Sequence, residues 1–332
     1  MILLTGGLGY LGSHMAAQII EQGREVVLVD NLSNSQIAVL DRLSKLTGRV
    51  IPFVQIDVRD KAALLQVFSQ YSITQVVHFA GSKSVNESIQ QPLDYYDNNV
   101  NGLISLLHVM KEAQVKTIVF SSTAAIYGEP EALPIPESAR QAPITPYGRT
   151  KQICEHVLQD LAHAEQGWKI AVLRYFNPAG AHPSGIIGEV PNGIPNNLVP
   201  YIAQVARDER PFLQVFGNDY NTVDGTGVRD FIHVQDLIDG HSKALAWLAT
   251  QPQVFDTFNL GRGEGVSVKQ MLDAFSKAVG REIPYKVVAR RDGDSASVYA
   301  DASHANRILG WQATRTVDEM AVDTWRFYEN LV

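Results

Sequence analysis

Two side chains near the middle of the chain have the types and the spacing needed for proton transfer. Tyr147 and Lys151 lie in the segment Pro-Tyr-Gly-Arg-Thr-Lys, which begins at residue 146. Residues four apart share one face of a helix, so the ammonium group would lie beside the phenol. A neighbouring positive charge favours the phenolate and lowers a pKa that is near 10 in model peptides. We therefore expect Tyr147 to accept a proton from a hydroxyl group near neutral pH.

A glycine-rich segment at the start of the chain predicts a dinucleotide site. Gly6, Gly9 and Gly12 follow a short apolar run and precede a helical pattern. Glycines let the backbone turn tightly and let a pyrophosphate approach the helix N-terminus, where free N–H groups favour anions. Asp30 ends the next apolar run, where a carboxylate would bind the adenosine ribose and repel a 2′-phosphate, or would simply start a turn. Together with the tyrosine, these residues indicate NAD-dependent redox chemistry on an alcohol.

Composition limits the classes of partner. The 332 residues carry a net charge of −7, with a pI near 5.7, which argues against nucleic acid or an anionic membrane surface as partner. Cys154 is the only cysteine, so an internal disulfide and a cysteine zinc cluster are excluded, as is typical of a reducing compartment. The sequence has no secretory pattern, no apolar run of about 18 residues and no metal-binding histidine motif. We expect a soluble, cytoplasmic protein without a catalytic metal.

Alternating patterns in the first half of the chain predict the fold class. Strand-like apolar runs alternate with amphipathic helical patterns, which favours an α/β fold with a Rossmann-type, doubly wound parallel sheet covered on both faces. The strand-like runs are 1–5, 25–30, 50–55, 75–79, 117–120 and 170–175, and the helical patterns lie near 9–22, 36–46, 60–71, 93–113 and 147–164.

The pattern changes after residue 176. Residues 177–230 are rich in proline, glycine and asparagine, which break regular elements, so we expect a binding region of loops and short helices. Regular patterns resume at 234–248, 266–279 and 283–288. We predict an NAD-binding domain over 1–176, to which segments near 230–260 return. A smaller, interleaved mixed α/β substrate domain is expected over 177–332.

The motifs together resemble the extended short-chain dehydrogenase/reductase family, and within it the UDP-glucose 4-epimerases. The general resemblance rests on the glycine motif, on the hydroxyl of Thr123 and on the Tyr147-x-x-x-Lys151 pair. The narrower one rests on motifs that belong to the nucleotide-sugar half and span nearly the whole chain. These motifs are 78–81, 95–100, 174–178, 193–198, 216–220, 224–230 and 290–294.

The resemblance implies interconversion of UDP-galactose and UDP-glucose, a step of galactose metabolism. Tyr147 would take the proton of the sugar 4-hydroxyl, Thr123 would hydrogen-bond that oxygen, and Lys151 would bind the nicotinamide ribose. A hydride would pass from C4 to tightly bound NAD and return to the other face of the 4-keto sugar. Family members are commonly homodimers that pair through helices corresponding to 93–113 and 147–164.

The resemblance also assigns residues to the cofactor and to the substrate. The cofactor residues are Gly6, Gly9, Tyr10, Leu11, Gly12, Asp30, Asn31, Asn34, Ser35, Asp57, Val58, Phe79, Ala80, Gly81, Lys83, Asn98, Thr123, Tyr147, Lys151 and Phe176. The substrate residues are Asn177, Asn197, Leu198, Phe216, Arg229, Arg291, Asp294 and Val298. Among them, Phe216 would contact the uracil, Arg229 and Arg291 the diphosphate, and Asp294 the uridine ribose. Asp57 would face the adenine or cap the helix near residue 60.

Val298 bears on the choice of sugar. It aligns with a position beside the sugar 2-substituent, where epimerases restricted to UDP-glucose and UDP-galactose tend to have tyrosine. Valine would leave room for an acetamido group, so we expect N-acetylhexosamine forms to be accepted as well. The alternative is that the neighbouring Tyr299 or a shifted backbone fills the space.

Three other functions remain open at this point. Nucleotide-sugar 4,6-dehydratases carry an Asp-Glu pair directly after the hydroxyl residue, where this chain has Ala124 and Ala125. A UDP-glucuronate epimerase or decarboxylase would need to meet a different group at C6. A non-catalytic NAD sensor should lack the tyrosine or the lysine, and this chain has both.

Overall fold

The computed structural model describes residues 1–195, 197–291 and 294–331. Within them the strands are β1 (Ile2–Thr5), β2 (Val26–Asp30), β3 (Phe53–Gln55), β4 (Gln75–His78), β5 (Thr117–Thr123), β6 (Lys169–Tyr175), β7 (Asn177–Ala179), β8 (Leu213–Phe216), β9 (Val228–Arg229), β10 (Phe231–His233), β11 (Val254–Leu260), β12 (Val266–Ser267), β13 (Tyr285–Val288) and β14 (Ser297–Val298). The α-helices are α1 (Tyr10–Glu21), α2 (Ala38–Thr47), α3 (Lys61–Gln70), α4 (Val85–Gln90), α5 (Pro92–Tyr95), α6 (Gly102–Glu112), α7 (Pro146–Ala164), α8 (Leu198–Ala206), α9 (Val234–Thr250), α10 (Val268–Val279), α11 (Ser303–Leu309) and α12 (Val317–Glu329).

A seven-stranded parallel sheet carries the first half of the chain. Its strand order is β11-β6-β5-β4-β1-β2-β3, with every neighbouring pair parallel. The order reverses between β1 and β4, which is where such sheets open a ligand crevice at their carboxyl ends. The predicted Rossmann-type α/β fold is confirmed.

Both faces of the sheet are covered, which is why its strands read as continuous apolar runs. Neighbouring residues of β1 show this, because Leu3 and Leu4 are both 0% exposed but pack on opposite sides. Leu4 lies in a core with side chains of α1, α2 and α9, whereas Leu3 lies in a core with α3, α6 and α7. Full burial of such a side chain stabilises the fold by about 1.5–3 kcal/mol.

A third core forms the smaller region. Helices α8, α10 and α12 pack around it together with β8, β10 and β12. Helix α10 has a capping box, in which Ser267 and Gln270 satisfy each other's backbone N–H groups, and it ends at Gly280 in the left-handed conformation. The chain returns to the large sheet through α9 and β11, which pairs with β6.

The segment 93–113 is not the single helix that its pattern predicted. Helix α5 ends at Tyr95, a π-helical turn follows over Tyr96–Asn101, and α6 begins at Gly102. The buried Asn99 in this turn accepts a hydrogen bond from the Ser82 N–H at 2.7 Å and donates to the Ser82 carbonyl at 3.0 Å. The wider turn brings a polar side chain into contact with the loop after β4, which a regular apolar pattern does not reveal.

The bounds of other elements differ from the predicted ones. Strand β5 continues to Thr123, and β3 begins only at Phe53. The helices α4, α11 and α12 have no counterpart in the predicted patterns. In the described ranges no helix is long and apolar enough to cross a bilayer.

Asp230 fastens the smaller region to the loops around it. Its carboxylate is fully buried and accepts hydrogen bonds from the backbone N–H groups of Arg262 at 2.8 Å, of Gly263 at 3.1 Å and of Ala300 at 3.1 Å. Burial raises its pKa to about 6, although the three N–H donors lower it. Because the folded pKa lies above the unfolded value, this group favours folding increasingly as the pH falls through 6.

We predict that Asp230→Asn lowers the free energy of unfolding by about 1–3 kcal/mol, because the amide nitrogen cannot accept the N–H groups that Oδ2 now accepts. Urea unfolding at pH 7 measures this. Asp219→Asn is the control, since that carboxylate is 71% exposed in its ion pair with Arg290. Equally small changes in the free energy of unfolding of both variants would contradict a stabilising role of the Asp230 carboxylate.

Candidate active site

Helix α7 positions the tyrosine and the lysine. It starts with Pro146 at its first position, and the Thr145 side chain caps it by accepting the Gly148 N–H at 3.2 Å. Tyr147 therefore lies in the first turn and Lys151 one turn later. Both are buried, with exposures of 8% and 6%.

The carboxyl end of β5 meets these two side chains. The Nζ of Lys151 donates to the Ser121 carbonyl at 2.9 Å and lies 4.9 Å above the centre of the Phe120 ring. Thr123, the last residue of β5, hydrogen-bonds the Tyr147 phenol and accepts the Ala125 N–H at 3.1 Å. The structure thus brings together all three residues that the sequence predicts to be catalytic.

The electrostatics of the pair differ from the expectation. Burial raises the pKa of Tyr147, and the hydrogen bond from Thr123 only partly opposes this. Burial also lowers the pKa of Lys151. The prediction that this lysine makes the phenol acidic is therefore wrong for the chain by itself, because desolvation disfavours both charged forms. A further positive charge at the site would be needed to favour the phenolate.

The glycine segment fits a dinucleotide. Gly6 has φ +67°, and a Cβ there would lie 2.8 Å from the Ala80 nitrogen. A Cβ on Gly12 would lie 2.1 Å from the Gly6 carbonyl oxygen. Helix α1 is capped by Gly9 without a side-chain hydrogen bond and has no acidic residue in its first turn. Its backbone N–H groups and dipole are thus arranged for a diphosphate.

Asp30 retains capacity for a ribose. Its Oδ1 accepts the Leu32 N–H at 2.9 Å and the Ser35 hydroxyl at 2.8 Å. Its Oδ2 accepts only the Leu8 N–H, at 3.1 Å, among the described hydrogen bonds. Since a carboxylate oxygen can accept about two hydrogen bonds, Oδ2 can take one hydroxyl more. Ser35, predicted to touch the cofactor, orients this carboxylate.

The position of Asp57 answers one open question. It pairs with Arg59 at 2.8 Å and accepts the Asn31 amide at 2.9 Å, and these contacts lower its pKa. The cap of α3 is Asp60, whose carboxylate accepts the Ala63 N–H at 3.0 Å. Asp57 is therefore not the helix cap, and it lies with Asn31 after neighbouring strands of the sheet.

The remaining cofactor candidates differ in their contacts and in how deeply they are buried. The Phe79 N–H donates to the Thr5 carbonyl at 3.1 Å, and Asn98 donates to the Ser82 hydroxyl at 3.0 Å. A Cβ on Gly81 would lie 3.5 Å from the Nζ of Lys151. Buried or half-buried positions are held by Tyr10, Leu11, Val58, Ala80 and Phe176, whereas Asn34 is exposed.

Lys83 is half exposed and lies 2.7 Å from the Glu189 carboxylate. The same carboxylate oxygen is 3.5 Å from the amide nitrogen of Asn197, the residue before α8, whose side chain makes no capping hydrogen bond. Glu189 therefore links a cofactor candidate with a substrate candidate. Sequence reasoning missed it, although it lies close to the matched segment 193–198.

Four substrate candidates meet near β9. The guanidinium of Arg229 donates to the Ser295 carbonyl at 2.9 Å and pairs with Asp294 at 3.4 Å. Burial lowers its pKa. The guanidinium of Arg291 lies 3.7 Å from the centre of the Phe216 ring. Asn196, Asp292 and Gly293, which belong to the matched motifs, lie outside the described residues.

Val298 lies where the two regions meet. Strand β14 pairs it with Arg229, and its half-buried side chain packs on a cluster that includes Phe176 and Ala124, the residue after Thr123. The backbone of Asn177 is nearby in β7, which pairs with β10. The ring of Tyr299 lies near Gly265, since a Cβ there would be 3.4 Å from it.

Comparisons with known proteins show the family of this chain. The family model for GDP-mannose 4,6 dehydratase matches residues 3–324. A UDP-glucose 4-epimerase of Dictyostelium discoideum is 50% identical over 326 residues, which cover 98% of this chain and 95% of that protein. The chain belongs to the UDP-glucose 4-epimerase family.

Solved epimerase structures share the whole fold. The UDP-glucose 4-epimerase of Stenotrophomonas maltophila, with bound NAD and formylated UDP-arabinopyranose, has a TM-score of 0.97 and 48% identity, covering 99% of this chain and 98% of that one. The UDP-Glc/GlcNAc 4-epimerase of Campylobacter jejuni has a TM-score of 0.86 and 35% identity, covering 99% of each chain.

We predict that Asp30→Asn weakens the preference for NAD over NADP at least tenfold, because the carboxylate no longer repels a 2′-phosphate. A hydrogen bond to a charged group is worth about 1.5–3 kcal/mol, which is about tenfold or more in affinity. The nucleotides extracted from purified protein give the preference, with Asp219→Asn, an exposed carboxylate, as control. Equal NAD and NADP contents in the unmodified protein would contradict the role of Asp30.

Proposed function

We propose that the chain is a UDP-glucose 4-epimerase, which interconverts UDP-galactose and UDP-glucose through a 4-keto sugar with tightly bound NAD. The observation that carries the proposal is the buried meeting of Tyr147, Lys151 and Thr123 beside the glycine turn of α1. A second cluster supports a substrate that is bound through a nucleoside diphosphate. It consists of Phe216, Arg229, Arg291 and Asp294.

Each residue then has a defined task. The phenol oxygen of Tyr147 takes the proton of the sugar 4-hydroxyl and later returns it. The hydroxyl of Thr123 donates to the phenol oxygen and can accept from the sugar 4-hydroxyl, which lets it relay the proton between them. Lys151, fixed by the Ser121 carbonyl, binds the nicotinamide ribose.

NAD would be held by the N-terminus of α1, by Asp30 and by Lys151. When bound, it supplies a hydride acceptor and donor together with a positive nicotinamide ring. That charge favours the phenolate form of Tyr147, against the effect of burial. The two arginines bind the diphosphate, a task that suits planar forked cations.

The position after Thr123 argues against a dehydratase, although the matching family model bears that name. Ala124 and Ala125 begin a short 3₁₀ turn there, and their methyl groups offer neither an acid nor a base for the elimination of water. The presence of both Tyr147 and Lys151 argues against a non-catalytic sensor.

We further propose a cytoplasmic homodimer with an NAD-binding domain over 1–176, joined by α9 and β11, and a nucleotide-sugar domain over the rest. The single cysteine, Cys154, is free and buried, which suits a reducing compartment. The pairing helices would be those near 93–113 and 147–164. Leu93 is 81% exposed and Ile89 61% exposed beside them, which supports a protein partner on this side.

We predict that purified protein converts UDP-galactose into UDP-glucose without added NAD, and that Tyr147→Phe lowers kcat by about 10²–10⁴-fold while UDP binding persists. The variant loses only the proton-accepting oxygen. Turnover by coupled assay and UDP affinity by calorimetry measure the two effects. Tyr285→Phe, at an exposed position of β13, is the control with unchanged kcat. Stoichiometric consumption of NADH would contradict an epimerase, and wild-type kcat in Tyr147→Phe would place the base elsewhere.

We predict measurable epimerisation of UDP-N-acetylglucosamine or UDP-N-acetylgalactosamine, which Val298→Tyr removes while UDP-galactose turnover persists. The larger tyrosine ring would take the room that an acetamido group needs beside the cluster of Phe176 and Ala124, on which the valine packs. Val287→Tyr, at an exposed position of β13, is the matched control. If the unmodified protein epimerises UDP-galactose but neither N-acetyl sugar, Val298 serves packing alone.

A further inference from the structure

Tyr127 has a buried hydroxyl group that none of the steps above uses. The residue follows the 3₁₀ turn Ala124–Ile126, which begins directly after Thr123 at the end of β5. Its exposure is 1%. A buried hydroxyl needs hydrogen-bond partners, because its removal from water is otherwise unfavourable. The partners of this hydroxyl indicate what it does.

The hydroxyl bridges two strands of the large sheet. It donates to Oδ1 of Asn259 in β11 at 2.7 Å and accepts from Nη1 of Arg174 in β6 at 3.0 Å. Asn259 and Arg174 lie directly opposite each other in the register of the two strands. Burial raises the pKa of Tyr127 to about 12, so the phenol keeps its proton and serves as a donor. Tyr127 is therefore fixed against the carboxyl ends of β6 and β11.

Asn259 carries this connection to the segment that follows β14. Its Nδ2 donates to the carbonyl groups of Ile135 at 2.8 Å and of Asp301 at 3.3 Å. Because both of these partners are acceptors, the amide nitrogen must face them, and Oδ1 is left to accept from Tyr127. The backbone of Ile135 in turn accepts the Asp301 N–H at 2.8 Å and donates to the Tyr299 carbonyl at 2.9 Å. That segment is thereby bound to the large sheet.

The ring of Tyr127 belongs to the core on which Val298 packs. This core also includes Phe176 and Ala300, and Ala124 packs against it as well. In the reaction proposed above, the last residue of β5 meets the sugar 4-oxygen and Val298 lies beside the sugar 2-substituent. Tyr127 therefore connects the two walls of the proposed sugar site, by packing and by hydrogen bonds.

Packing alone does not account for the hydroxyl. A phenylalanine ring would fill the same core, and a buried polar group is unfavourable unless it is satisfied. In Tyr127→Phe, Arg174 would keep its bond to the Glu137 carbonyl at 3.0 Å. By contrast, Oδ1 of Asn259 would lose the one donor that the described hydrogen bonds give it. The amide, and the segment that it holds, would then be free to shift.

We propose that Tyr127 is a positioning residue for the reaction proposed above. Through its hydroxyl and Asn259, it sets the distance between the end of β5, which carries Thr123, and the wall of the sugar site that carries Val298. A misplacement of about 1 Å can lower a rate by about 10²-fold, so a small shift of one wall is enough to matter. The inference rests on the proposed function, because only that function places the sugar between these walls.

The test uses Tyr127→Phe, which removes the hydroxyl and keeps the ring. Tyr95→Phe is the matched control, because Tyr95 is 2% exposed and its hydroxyl also donates one hydrogen bond, to Glu87 at 2.7 Å. Turnover of UDP-galactose is measured, with kcat expressed per UDP-binding site so that unfolded protein does not count. The inhibition constant of UDP, the NAD content and the amide hydrogen exchange of the segments 133–137 and 299–303 are measured on the same samples.

We predict that kcat falls about tenfold in Tyr127→Phe, because the reacting groups are displaced by a fraction of the distance that costs about 10²-fold. The inhibition constant of UDP and the NAD content should stay at the wild-type values, because other residues hold the two nucleotides. Amide exchange at Ile135 and Asp301 should become faster, since these N–H groups belong to the segments that Asn259 ties together. Tyr95→Phe should change neither kcat nor this exchange.

A double variant tests whether the hydroxyl acts through the amide. Asn259→Leu, which keeps a similar volume, should lower kcat by a similar factor. The combination of Tyr127→Phe with Asn259→Leu should be no slower than the single variants, because both remove the same connection. Losses that multiply would contradict a common path.

Three further results would overturn the proposal. One is wild-type kcat in a folded Tyr127→Phe protein, and another is a variant that no longer folds, since either would assign the hydroxyl to stability alone. The third is a weakening of UDP binding as large as the fall in kcat, which would show that the whole substrate region had moved. Absence of epimerisation in the unmodified protein would refute the proposed function and the positioning role with it, whereas an active unmodified protein with wild-type kcat in Tyr127→Phe would refute this inference alone.

Discussion

The hydrogen bond from Lys151 to the Ser121 carbonyl joins the two elements on which the site depends. It fixes helix α7 against the carboxyl end of β5 at 2.9 Å, in a region closed to water. The hydroxyl of Ser121 is fixed as well. The Nδ1–H of His241 donates to the Leu237 carbonyl, so its Nε2 must accept from Ser121, at 3.3 Å. A displacement of β5 would therefore move the lysine, the tyrosine and Thr123 together.

The burial that fixes this geometry also opposes the ionisation of Tyr147. A phenol that accepts protons must be able to ionise, and desolvation raises its pKa. In the proposed reaction the chain holds Tyr147 in place, and bound NAD would supply the positive charge that favours its phenolate. Active sites commonly combine burial with opposed charges in this way.

The sequence predicts much of this arrangement because its strongest signals are local. The glycines of α1 and the Tyr147-x-x-x-Lys151 pair work through short spacings, and the buried strands are continuous apolar runs. The π-helical turn at Tyr96–Asn101 was missed because its cause, the contacts of Asn99 with Ser82, joins residues 17 apart. The raised pKa of Tyr147 could not be foreseen either, because it depends on packing from several elements.

Contacts in the substrate region also join residues that are far apart in the sequence, so the sequence did not predict them. Phe216 and Arg291 are far apart in the chain and meet only because β8 pairs with β13. Glu155, which forms a buried ion pair with Arg174, continues the four-residue spacing of Tyr147 and Lys151 in the sequence. Its partner Arg174 lies in a recognised motif, but only the pairing of β5 with β6 places it and Ser122 on the same carboxylate.

The most direct test is the pKa of Tyr147 with the bound cofactor oxidised and then reduced in place. Tyrosinate absorbance is titrated in both forms, and the same titration of Tyr147→Phe is subtracted. Reduction removes the positive charge of the nicotinamide ring and leaves the protein groups unchanged. We expect a clearly lower pKa of Tyr147 in the oxidised form. Equal pKa values in the two forms would contradict it, because the charge that offsets burial would then have to come from the protein alone.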